Sequence, residues 1–129
     1  MIEYTLKTFI LADGTISGLI SVRLYPSKMP QNPKFPLMVY TKISGFREHD
    51  MDGSTIATPR MQYDSWASTY AGAKALADAL RERLDSYTGL VGSPAETVHF
   101  AYLLNERDFY DDDLLVFRVS MDFEIFHDE

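Results

Sequence analysis

At 129 residues the chain suits one domain, residues 1–129, because two pieces would each be too small to bury a useful core without disulfides or metals. Apolar residues make up 46 % and charged residues 24 %, ordinary values for a globular fold, and the lack of cysteine excludes disulfides, thiolate chemistry and cysteine-ligated zinc while fitting a chain that folds in a cytosol. The formal net charge is −7 with no block of Lys and Arg, which argues against a duplex-gripping protein, since that activity needs a basic face to displace counterions from phosphates.

The start, Met1-Ile2-Glu3-Tyr4, lacks the basic region, apolar run and small-residue cleavage site of a signal peptide, and no stretch approaches the ~20 apolar residues that span a bilayer. Ile2, Leu6, Phe9 and Ile10 fall at i, i+4, i+7 and i+8 and predict an amphipathic helix as far as Ala12, stopped by Asp13-Gly14. Leu19 to Tyr25 is expected to be a short strand with Leu19, Ser21, Arg23 and Tyr25 on one face. Pro26, Pro30, Pro33 and Pro36 follow, and fixed φ angles with missing N–H donors make that stretch an extended loop. Leu37 to Ser44 and Arg60 to Ala67 read as strands. Between them the polar connection Gly45 to Pro59 is too long for a tight turn and is expected to be an arm or an extended hairpin tip.

Ala73, Leu76, Ala77, Leu80, Leu84 and Tyr87 form one stripe of a helix from about Tyr70 to Tyr87, capped by Ser68 or Thr69 and ended by a left-handed Gly89. Thr97 to Glu106 and Leu115 to His127 alternate as strands. In the second, Leu115, Phe117, Val119, Met121, Phe123 and Ile125 share a face, each worth roughly 1.5–3 kcal/mol if buried, so this strand should be central. The expected fold is α+β: an antiparallel sheet of about four strands with two helices packed on one face. The other face should be mixed and polar, with Tyr40, Lys42, Gln62, Asp64, Arg118, Asp122 and Glu124 as candidate members.

Charge is unevenly placed. Residues 1–104 carry ten acids and ten bases, whereas residues 105–129 carry nine acids against Arg107 and Arg118, so all the excess negative charge lies at the end of the chain. Such a surface would repel nucleic acid or meet a basic partner.

No catalytic constellation is legible. His49, His99 and His127 lack metal-ligand spacing and read as surface or rim residues. Asp108 with Asp111, Asp112 and Asp113 lacks the glycine and glutamate of a calcium loop and reads as a solvated turn, and Asp50-Met51-Asp52-Gly53 also favours a turn. No nucleophile elbow or phosphate-binding glycine loop is present. Trp66 packs at a strand-to-helix junction or anchors an interface. No cofactor, metal ligand or catalytic residue is assigned.

Several segments together resemble one family. They are Val22-Arg23-Leu24-Tyr25-Pro26, Pro36 to Gly45 (PLMVYTKISG), Met61 to Ala67 (MQYDSWA), Tyr70 to Ala77 (YAGAKALA), Glu106 to Tyr110 (ERDFY) and Phe117 to Phe123 (FRVSMDF). In order and spacing they are similar to the phage tail completion, or tail terminator, proteins, a family first catalogued as a domain of unknown function and found also in prophages and gene transfer agents. The resemblance covers roughly residues 1–127. It implies a structural virion protein of the tail or neck, assembled in the host cytoplasm. It also implies a homo-oligomeric ring, typically hexameric, on the end of the tail tube, with the tube protein and the head-tail connector or stopper protein as partners. No membrane and no specific nucleic-acid binding are implied, and DNA passing through the lumen would meet walls that acids keep from sticking. The interface candidates are Arg47, Asp50 and Asp52 in the polar connection and Arg107, Asp108 and Tyr110 in the turn Glu106–Asp113. Two alternatives stand beside this reading: another neck part such as a connector stopper, and, farther off, a small metal- or ligand-binding or hydrolytic domain using the acidic turn.

Overall fold

The computed structural model describes residues 1–45, 47–50, 53–91 and 96–128, and for 47–50 and 53–55 the backbone alone. The first helix, α1 (Ile2–Leu11), buries Ile2, Leu6 and Ile10, the stripe their spacing predicts. Asp13 then begins a second helix as well as ending the first. Its Oδ1 accepts from the N–H groups of Thr15 (2.9 Å) and Ile16 (3.1 Å) and so caps α2 (Gly14–Ile20). This overturns the expected strand Leu19–Tyr25: Ile16 and Ile20, four apart and both fully buried, turn the segment helical, and only β1 (Leu24–Pro26) is extended. The proline-rich stretch that follows is a loop, pinned where Arg23 Nε donates to the Pro36 carbonyl (2.9 Å).

The remaining strands are β2 (Leu37–Ser44), β3 (Arg47–Asp50), β4 (Gly53–Ala57), β5 (Arg60–Ala67), β6 (Gly89–Val91), β7 (Glu96–Asp111) and β8 (Val116–Asp128). Among the described residues the sheet has eight strand segments and is mixed, with β1 parallel to β2 and every other pairing antiparallel, so the expectation of about four antiparallel strands was too small. The polar connection is a hairpin: Arg47 opposite Ala57 and Asp50 opposite Gly53 carry the β2–β5 pair onward as β3–β4. The C-terminal strand is central as expected, with β5 on one side and β7 on the other. Its Val119, Met121, Phe123 and Ile125 are all fully buried.

Over that apolar face lies α3 (Tyr70–Leu84), started by the Thr69 hydroxyl accepting from Gly72 N–H (3.0 Å). Ala73, Leu76, Ala77, Leu80 and Leu84 are buried against the sheet and the other two helices, so three helices and not two share this layer. Arg83 ties α3 to α1: it donates twice to the Phe9 carbonyl (2.8 and 3.2 Å), with its guanidinium 3.8 Å from the Phe9 ring centre. The left-handed stop is Ser86 (φ 63°), not Gly89, which has φ 142° and opens β6. The helix ends earlier because the Asp85 carboxylate turns away to accept from Leu103 N–H (2.9 Å) on β7.

Tyr63 lies at the centre of the core, edge-on to Phe123 (5.9 Å between ring centres). Among the described residues its hydroxyl is buried without a partner, and burial raises its pKa well above the ordinary phenol value. Replacing Tyr63 with Phe removes an uncompensated polar group and should leave stability unchanged or raise it by about 1 kcal/mol in urea denaturation. A loss of about 1 kcal/mol or more would mean that the hydroxyl has a hydrogen-bond partner.

Candidate functional site

Alternation from the buried residues divides the sheet into two faces. Met61, Tyr63, Met121 and Phe123 belong to the helix-covered core, so Gln62, Asp64, Ser120 and Asp122 point to the face without helices. Gln62, Asp64, Arg118, Asp122 and Glu124 lie there as expected. Tyr40 and Lys42 do not: Tyr40 is in the core beside Tyr63, and Lys42 pairs with Glu3 of α1 (3.2 Å). The error has a physical origin, since Leu37, Met38, Val39 and Tyr40 are all buried and a strand covered on both sides shows no alternation.

Two cross-strand rows dominate the helix-free face. In one, Trp66 of β5, Arg118 of β8 and Phe109 of β7 are successive register partners. The Arg118 guanidinium lies 5.2 Å from the Trp66 ring centre and 4.3 Å from that of Phe109. Trp66 is thus half-buried on the face opposite the helices and stacks on an arginine. In the other, which runs diagonally across the register, Asp122, 4 % exposed, accepts from Arg60 (2.7 Å) and lies 3.6 Å from Arg107. Asp64, also buried, accepts from the Gln62 amide.

The end of the β7–β8 pair presents a second cluster on the helix side. Tyr70 donates to Asp108 (2.8 Å), Lys74 pairs with Asp108 (2.9 Å) and Glu106 (3.4 Å), and Phe117 packs between Tyr70 and Tyr110. Lys74 first and Tyr70 second hold the Asp108 carboxyl below its ordinary 3.8, and Asp108 in turn raises both partners. A carboxyl depressed in the folded state stabilises above the unfolded value, and that contribution is lost as pH falls through the lower folded value. A carbon-detected titration should therefore place the Asp108 midpoint below 3.8, and Lys74→Met should move it upward. An unchanged midpoint in the variant would dismiss the pair.

Glu106–Asp113 was expected to be a turn, but β7 continues through it. Glu106 faces Met121 and Asp111 faces Val116, leaving only Asp112–Leu115 as the turn. Asp111 closes it, its Oδ1 accepting from the N–H groups of Asp113 (3.0 Å) and Leu114 (2.8 Å). Strand alternation therefore separates the interface candidates: Arg107 sits beside Asp122 on the open face, while Asp108 and Tyr110 lie on the helix side. Arg47 and Asp50 are at the two ends of β3, with their side chains outside the described residues, as is the whole of Asp52. Sequence reasoning missed Tyr70, Lys74 and the Trp66–Arg118–Phe109 row. Carrying the period-two reading of β7 past Glu106 would have put Phe109 on the same face as Arg107, but joining it to Arg118 and Trp66 needs the strand register.

A cleft of about 430 Å³ by the start of α1 is lined by Glu3, Lys42, Glu96 and His127 among others. Glu3 pairs there with Lys42, and Glu96 with the Met1 ammonium (3.3 Å). His127 is buried, not at the rim, with Nδ1 2.8 Å from the Asp128 carbonyl, and His99 pairs with Asp128 (2.6 Å). Among the described residues no group of His, Asp and Glu could hold a metal ion, and no helix is long and apolar enough to cross a membrane.

A family model described as Tail completion protein gp17 matches residues 6–128. The chain belongs to that family. It is therefore a structural protein of the phage tail or neck and not an enzyme. Comparison with curated protein sequences returns no match. A chain of the structure titled "Virion of native gene transfer agent (GTA) particle" superposes with a TM-score of 0.76, over 99 % of this chain and 98 % of that one. The two share 15 % identity, so this likeness is one of fold.

Proposed function

We propose that copies of this tail completion protein form a closed ring, with a hexamer expected, on the head-proximal end of the tail tube, and that the ring joins the tube to the head connector. The family match over residues 6–128 carries this reading. Three features of the fold support it. The outer side of β7 is occupied as far as Leu103, by Tyr87 and Asp85, and beyond that no strand lies beside it among the described residues, while residues 104–110 are all exposed. An open strand edge of that length is adhesive. The terminal hairpin exposes Phe109, Tyr110, Leu114 and Leu115 together at the end of the molecule. The two faces of the sheet differ in chemistry, which suits contacts that repeat head-to-tail around an axis.

Particles produced without this chain should show filled heads and tails lying apart, with joining restored when purified protein is added. Joined particles in its absence would contradict the proposal. Free heads that leak DNA would favour the alternative of a connector stopper.

A further inference from the structure

Arg118 is a cation prepared for an anion that the described residues of its own chain do not supply. Trp66 and Phe109 hold the guanidinium between two rings, and its Nε is buried with no acceptor. No carboxylate or other acceptor among the described residues reaches it, whereas Arg60 and Arg107 on the same face share Asp122. Two more polar atoms of this patch, Trp66 Nε1 and the Oγ of Ser120, are buried without partners among the described residues.

The complementary feature lies on the turn Asp112–Leu115. Asp112 and Asp113 are exposed and pair with no cation among the described residues, and Leu114 and Leu115 beside them are 43 % and 67 % exposed. Two acids next to two leucines match a guanidinium flanked by two rings. Within one chain the two cannot meet. Arg118 is held opposite Phe109 in the β7–β8 ladder, and the turn is closed by Asp111, whose carbonyl also accepts from Leu115 N–H (2.8 Å).

We infer that the Asp112–Leu115 turn of one copy docks on the Trp66–Arg118–Phe109 row of the next, with an aspartate carboxylate on the Arg118 guanidinium and the leucines against the rings. Donor and receptor are different surfaces, so the contact is heterologous and propagates around a ring. The inference rests on the proposed ring and specifies one of its interfaces.

The absence of cysteine makes the test clean. Phe109→Cys protein and Asp113→Cys protein, mixed and mildly oxidised, should give a disulfide between the two different proteins in preference to either homodimer. Asp112→Asn/Asp113→Asn alters only an exposed turn and should weaken self-association by about 10–100-fold per contact in sedimentation velocity. Arg118→Glu should do the same, and joining it with Asp112→Arg/Asp113→Arg in one chain should restore association. Rings seen by negative-stain microscopy that are unaffected by the Asn pair, with no mixed disulfide, would overturn this interface and leave the ring standing. Protein that stays solitary at high concentration and beside tail tubes would overturn both.

Discussion

Replacing Phe123 with alanine should cost about 3–5 kcal/mol, the range for emptying a fully buried aromatic position. Phe123 is 0 % exposed, lies on the central strand and contacts Tyr63 edge-on, so β5, β8 and the helix layer all lose packing at once. Against a net stability of about 5–15 kcal/mol for a domain, this should move the urea midpoint far down without changing the slope. Phe126, three residues on and on the opposite face, is the control. It is only half-buried, its main aromatic partner is Tyr102 (5.8 Å), and Phe126→Ala should have a clearly smaller effect. Equal losses at the two positions would mean that the helix-free face is as tightly packed as the core.

The second large effect is electrostatic. Asp122→Ala should destabilise by about 1–3 kcal/mol, because it deletes the buried carboxylate that Arg60 and Arg107 share. Breaking a fully buried pair costs about 3–5 kcal/mol, but these arginine side chains are 43 % and 45 % exposed and can return to water. The exposed Asp78–Arg81 pair, at 3.9 Å, gives the contrast: Asp78→Ala should stay within about 0.5 kcal/mol of the parent. Chemical denaturation of the two variants side by side measures the difference, and a neutral Asp122→Ala would show that the charges on this face do not help hold the sheet.

Elements whose residues face different environments on their two sides were legible in the sequence. Arg60–Ala67 has the bounds expected of it, and α1 and the stripe of α3 follow their apolar spacing; Leu37–Ser44 also has its expected bounds, but it was legible from its apolar run and not from two differing faces. Elements lacking that contrast were not. α2 is only seven residues long and announces itself by one capping aspartate and one isoleucine pair, while β1 and β6 are three residues each, too short for any period to show. The run Glu106–Asp111 looked like a turn because it is exposed on both faces. Charge there reports a strand edge with no strand beside it among the described residues, not a change of chain direction. The interface candidates of the same stretch divide for the same reason: strand alternation puts Arg107 on one face and Asp108 on the other. The Trp66–Arg118–Phe109 row joins residues on three strands, and only the register brings them together.

The most direct measurement is a cryo-electron reconstruction of the intact particle in which this chain carries a small internal tag. A single ring of subunits with this fold, seated between the last layer of the tail tube and the head connector, is the predicted result. Subunits repeated along the whole length of the tube, or absent from finished particles, would contradict the account.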